Sequence, residues 1–154
     1  MNLNTTVVIS NYNYDGYVGS AIDSCVAQDV PVKIIVVDDC STDNSWDVIR
    51  DKVDEYSKYP IRAVRLKNNS GGNARGRNIG IKLCDTEYVA CLDSDDMLTP
   101  DSVRKKQSVL DSNRKVDFVH SFAYVVVNKG SYNYIISNLN SFFPESNKFI
   151  KGGF

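Results

Sequence analysis

Through its first hundred residues the chain alternates between short apolar runs and segments whose apolar residues recur every three or four positions. Thr5 to Ser10 is a β-branched run that predicts a strand, and it stops at the turn-formers Asn11-Tyr-Asn-Tyr-Asp-Gly16. Val18, Ala21, Ile22, Cys25 and Val26 then fall on one helical face, predicting a helix from Tyr17 to near Asp29, ahead of Pro31. Val32 to Val37 predicts a second strand that ends in Asp38-Asp39. Cys40 to Asn44 offers several N-caps for a second helix, marked by Trp46, Ile49, Val53 and Tyr56. Ile61 to Leu66 alternates apolar and basic residues, which suits a strand near a sheet edge.

Asn68 to Gly72 is loop-like and leads into a helical pattern in which Ile79 and Leu83 lie four apart. Gly76 and Gly80 inside it each cost about 1 kcal/mol relative to alanine, so some neighbour must need their close approach. Tyr88 to Leu92 predicts a buried strand, closed abruptly by Asp93, Asp95 and Asp96. Thr99-Pro-Asp101 opens a further helix carrying Val103, Gln107 and Leu110. Asp117 to Asn128 and Tyr132 to Ser137 are strand-like, with a hairpin turn expected at Lys129-Gly-Ser131 and His120 on a strand at the core edge. From Asn138 onward no pattern predicts an element.

Strands and helices in alternation predict an α/β fold, a mainly parallel sheet flanked by helices. In such sheets ligands bind at the carboxyl ends of the strands where the chain order reverses. Asn11-Tyr-Asn, Asp38-Asp39 and Asp93-Ser-Asp-Asp96 would all open onto that edge.

Length and charge narrow the classes. The 154 residues, 42% hydrophobic, suit one domain over 1–154. Eighteen basic residues against nineteen acidic, without a basic block, argue against a nucleic-acid partner. Cys25, Cys84 and Cys91 sit in apolar patterns and none of the four cysteines has C-x-x-C spacing, so buried free thiols in a reducing compartment are expected. No apolar stretch reaches membrane-spanning length, and a cytoplasmic location is expected.

The acidic strand ends carry the candidate chemistry. Carboxylates packed this closely repel unless a cation compensates, and Mg2+ or Mn2+ completed by substrate phosphates is the usual form of such a site. An EF-hand is excluded, because counting from Asp93 places Leu98 and Arg104 where glycine and glutamate are required. A receiver-like, non-catalytic magnesium-binding module would put its acid pair after the first strand, whereas Asp38-Asp39 follows the second. A phosphatase of the haloacid dehalogenase type would want a hydroxyl or valine where Met97 stands. Cys40, beside the acids, would be a poor nucleophile.

Four segments in order, Val7-Val-Ile-Ser-Asn-Tyr-Asn13, Ile35-Val-Val-Asp-Asp-Cys-Ser-Thr-Asp-Asn-Ser45, Gly72-Asn-Ala-Arg-Gly-Arg-Asn-Ile-Gly-Ile81 and Leu92-Asp-Ser-Asp-Asp96, resemble the family 2 inverting glycosyltransferases. The resemblance covers residues 5 to about 128 and implies a Rossmann-like GT-A fold. It implies a nucleotide-sugar donor, most often a UDP-sugar, with Mn2+ or Mg2+ on the diphosphate, and a saccharide or lipid-linked acceptor. Asn11 and Tyr12 would line the uracil, with Asp39 accepting from its ring N–H. Arg77 would face the nucleotide, Asp93 would lie near the ribose, Asp95 would hold the metal, and Asp96 would sit towards the sugar or the metal shell. Ser10, Cys40 and Gly76 stand where the family commonly has proline, glycine and alanine. The acceptor-binding half is expected to lie largely outside this chain. The general base is unidentified, Glu145 being a guess, and the sequence leaves open whether the exposed edge of an absent half drives assembly into homo-oligomers.

Overall fold

The computed structural model describes residues 3–121 and the backbone of 124–129 and 132–138. The elements run β1 (Thr5–Asn11), α1 (Asp15–Val26), β2 (Lys33–Asp38), α2 (Ser45–Glu55), β3 (Ile61–Arg65), α3 (Asn73–Lys82), β4 (Tyr88–Asp93), α4 (Ser102–Ser112), β5 (Tyr124–Lys129) and β6 (Tyr132–Asn138). Every helix and strand predicted in the first hundred residues is present. Two compact units divide the chain, Met1–Gln107 and Ser108–Phe154.

In the first unit the four strands are parallel in the order β3-β2-β1-β4. The chain steps outward from β1 through β2 to β3, then returns to the other side of β1, so the order reverses between β1 and β4. β1 is buried along its whole length and β2 along nearly all of it, which is why both read as unbroken apolar runs. The main core lies on one face, where Val7, Ile9, Ile34, Val36 and Leu92 meet Val18, Ile22 and Cys25 of α1 and Ile49 of α2. α3 covers the other face, over Val8, Ser10 and Val37.

Edge position changes two expectations. β3 is partly exposed, as its basic alternation predicts. β4 was expected to be buried, but it is the opposite edge: Ala90 packs on the core and Leu92 is within it, whereas Val89 is 40% exposed and Cys91 is exposed. α3 lies over β1 and β2, so the outer face of β4 gains little cover from it. Cys25 is the buried thiol, its pKa pushed up to about 12 by burial, while Cys40 and Cys84 are half-buried.

The two helix glycines behave differently. A Cβ on Gly80 would stand 2.2 Å from Val8 Cγ1, so α3 and β1 touch at a distance only glycine permits. A Cβ on Gly76 would meet Ser10 Cβ at 3.5 Å, an ordinary contact. Gly80→Ala is therefore expected to destabilise by about 1–3 kcal/mol through overpacking, and Gly76→Ala to stabilise by up to about 1 kcal/mol. Urea unfolding of the two variants should move in opposite directions.

In the second unit β5 and β6 form an antiparallel pair with a register shift between Val125 and Val126. The turn expected at Lys129-Gly-Ser131 falls largely outside the described residues, as does Glu145. Residues 117–121, expected as strand, have no regular structure, and His120 is exposed with its ring stacked on Phe118 at 6.1 Å. No helix among the described residues is long and apolar enough to cross a membrane.

Candidate functional site

Parallel strands place their carboxyl ends together, and β1, β2 and β4 end in Asn11, Asp38 and Asp93 at adjacent register positions. The loops after β1 and β2 are joined by side chains. The Asn11 amide, on a residue only 2% exposed, donates to Asp38 Oδ1 at 2.9 Å and to Ser41 Oγ at 3.2 Å. Asn13, in a left-handed conformation (φ 56°) that asparagine tolerates, donates its N–H to Ser41 Oγ and accepts Thr42 N–H on Oδ1 at 2.7 Å. Tyr14 N–H donates to Ser45 Oγ, and Asp15 N–H to Asp43 Oδ2. Burial alone would raise the Asp43 carboxyl, but hydrogen bonds from Ser45 and the Asp15 N–H outweigh it and hold the group below its usual range.

Asp38 is the post around which the second loop turns. It is fully buried and accepts Ser41 N–H at 3.1 Å, Ser41 Oγ–H at 2.5 Å and the Asn11 amide. Arg65 Nε lies 3.4 Å from Asp38 Oδ2, while the same guanidinium donates to Ser41 O at 2.8 Å and lies over the Trp46 ring. The loop so formed forces Cys40 to φ 61°, a conformation that costs a side-chain-bearing residue about 1–2 kcal/mol. Glycine at this position would be free of that strain, so Cys40→Gly should raise stability by about 1 kcal/mol, readable as a higher Tm.

Asp39, 6% exposed, turns away from Asp38 and holds the loop before α3. Its carboxylate accepts Ser70 N–H at 3.0 and 3.1 Å and Ser70 Oγ–H at 2.7 Å, and Asn69 Nδ2 donates to the Asp39 carbonyl. The two acids thus serve separate hydrogen-bond sets. Tyr12 is 40% exposed on the loop after β1.

At the other side of β1, Arg77 of α3 pairs with Asp93, and that carboxylate raises the arginine's pKa. Arg77 Nε is buried without a partner. Beyond Asp93 the chain turns, with Asp96 N–H donating to Asp93 O at 3.1 Å and Ser94 buried beneath. Asp95 is exposed and has no partner among the described residues. Burial, followed by the charges of Asp95 and Asp93, raises the Asp96 carboxyl. Among the described residues no three acidic, histidine or cysteine side chains gather into a cage for a cation. What Asp95 offers is one free hard-oxygen donor, which suits a Mg2+ or Mn2+ ion whose other ligands come from phosphate and water.

The structure therefore brings the expected residues to one sheet edge: Arg77 pairs with Asp93 through their side chains, and backbone hydrogen bonds run from Asp39 N–H to Asn11 O and from Asp96 N–H to Asp93 O. Asp38 and Asn13, placed at this edge by the sequence without a role of their own, prove to build the loops together with Ser41 and Ser70, which the sequence does not single out. The spacing Asp38-x-x-Ser41 is a local side-chain-to-backbone turn signal that could have marked Asp38 and Ser41. Ser70 is reached only through the fold.

The model of the family described as glycosyl transferase family 2 matches residues 6–153. The chain belongs to that family. Poly(ribitol-phosphate) beta-N-acetylglucosaminyltransferase TarS of Staphylococcus aureus is 31% identical over 129 residues, covering 81% of this chain and 21% of TarS. UDP-Glc:alpha-D-GlcNAc-diphosphoundecaprenol beta-1,3-glucosyltransferase WfaP of Escherichia coli is 29% identical over 144 residues, covering 92% of this chain and 53% of WfaP. The crystal structure of S. aureus TarS 1–349 in complex with UDP-GlcNAc superposes with a TM-score of 0.66 at 28% identity, covering 73% of this chain and 32% of that one. The family 2 chain described here thus spans about a fifth of TarS and about half of WfaP. Its parallel, helix-flanked sheet is the expected GT-A arrangement.

Proposed function

We propose that this family 2 chain is the donor-binding part of an inverting glycosyltransferase that uses a UDP-sugar and a divalent cation. The observation that carries the proposal is the sheet edge itself: a buried acceptor carboxylate at Asp39 after β2, a guanidinium at Arg77 on α3 fixed by Asp93, and a carboxylate without a partner among the described residues at Asp95 after β4 flank one switch point. TarS crystallised with UDP-GlcNAc, the name of TarS gives poly(ribitol-phosphate) as its acceptor, and that of WfaP gives UDP-Glc as donor and a GlcNAc-diphosphoundecaprenol as acceptor; these support the donor class and a role in polysaccharide assembly.

Asp39 would accept the uracil ring N–H, and Tyr12 would present its exposed ring to the base. The backbone that Asn11 fixes would shape the floor. Arg77 would bring a fixed positive charge towards the nucleotide while Asp93 orients it from behind and lies near the ribose. Asp95 would hold Mn2+ or Mg2+, with Asp96 towards the sugar. When bound, the ion would supply a fixed positive charge against the leaving diphosphate. In the reaction an acceptor hydroxyl oxygen bonds to the anomeric carbon as that carbon's bond to the diphosphate oxygen breaks, and the hydroxyl proton passes to a base.

Isothermal titration calorimetry of UDP, GDP and CMP, each with and without Mn2+, tests the donor site. UDP is expected to bind selectively, with a gain in affinity from Mn2+ that Asp95→Ala reduces by about tenfold. Equal binding of all three nucleotides, or a manganese gain that survives Asp95→Ala, would contradict the proposal.

A further inference from the structure

The acidic turn has a second anchor that the donor-site proposal does not use. Downstream of Asp93 the first tethered group is Leu98 N–H, which donates to Ser24 Oγ at 3.1 Å, while that hydroxyl donates to Ala21 O at 2.7 Å. Gln28, just past the end of α1, then takes both sides of the following bend. Its Nε2 donates to Thr99 O at 2.9 Å and back to Ser24 O at 3.0 Å, and its Oε1 accepts Val103 N–H at 3.0 Å. Asp29 N–H donates to Pro100 O, and Arg104 pairs with Asp29. Ser24 and Gln28 are both buried. Val103 lies in the first turn of α4, whose N–H groups have no intrahelical acceptor, so Gln28, from the segment after α1, supplies what a local cap would supply.

Only Ser94, Asp95, Asp96 and Met97 lie between the end of β4 and this tether. A bridge this short, fixed at both ends, has little freedom to rearrange. The turn at Asp93–Asp96 and the burial of Ser94 leave Asp95 facing outward as its free donor. We propose that Ser24 and Gln28 are positioning residues that hold the Asp93–Asp96 turn in the geometry needed for metal-dependent donor binding. This rests on the donor-site proposal above. Neither side chain touches the ligand; both act through the backbone of Leu98, Thr99 and Val103.

Gln28→Met keeps the length and packing of the side chain but removes all three of its hydrogen bonds, and Ser24→Ala removes the Leu98 tether together with the hydroxyl's bond to Ala21 O while leaving the Gln28 contacts in place. UDP affinity is measured calorimetrically with and without Mn2+ in the parent chain and both variants, together with hydrogen exchange at Leu98 and Val103 in the metal-free proteins. The expected result is a manganese-dependent gain reduced by about tenfold, unchanged metal-free UDP affinity, and faster exchange at the released amides. A purely structural role would lower Tm and speed exchange while leaving the manganese gain intact, and that result overturns the proposal. If Gln28→Met does not fold, Ser24→Ala decides alone. Absence of UDP binding in the parent chain would instead overturn the donor-site proposal on which this one rests.

Discussion

Replacing Asp39 with alanine is expected to weaken UDP binding by about a hundredfold, the loss that follows from removing a charged acceptor from a buried hydrogen bond. Two contributions add. On the donor site proposed above the base would lose the acceptor for its ring N–H, and the 68–72 loop loses the carboxylate that receives Ser70 N–H and Oγ–H. Asp39→Asn separates them, because the amide oxygen can still accept one N–H while the charge is gone, and an intermediate loss of about tenfold is expected. Titration calorimetry with UDP and with uridine checks this. If both variants bind UDP as the parent chain does, the base is not held at Asp39.

Asp38→Ala should produce the largest loss of fold stability, about 3 kcal/mol, read as a lower urea midpoint with an unchanged slope. The substitution leaves the Asn11 amide, Ser41 N–H and Ser41 Oγ–H without their common acceptor in a fully buried position. Arg65→Ala should cost less, since its side chain is 41% exposed and water can replace part of what it loses. Equal effects of the two would mean that the ion pair, and not the hydrogen-bond hub, holds the loop.

The layout of the first unit was legible because β1 and β2 are buried on both faces and therefore write continuous apolar runs into the sequence. β4 carries a similar run and reads the same way, yet it is an edge; a single strand's composition does not say which neighbours cover it. Gly80 was legible as a close contact, and its partner Val8 emerged only once α3 was laid on β1. The acidic strand ends stood out as candidates because charge is unusual there. Their division of labour was hidden, since whether Asp38 or Asp39 is spent on the loop depends on Ser41, Arg65 and Ser70, which approach from three different segments. Gln28 was invisible for the same reason: its partners Thr99 and Val103 lie more than seventy positions away.

The side-chain links from Asn11 to Ser41, Asn13 to Thr42, Tyr14 to Ser45 and Asp15 to Asp43 fasten the first two loops to each other in the free protein. A ligand arriving there has few backbone torsions left to freeze. Its binding heat capacity should reflect the apolar surface of the ligand and its immediate pocket alone, without the larger negative increment that accompanies a segment folding around its partner.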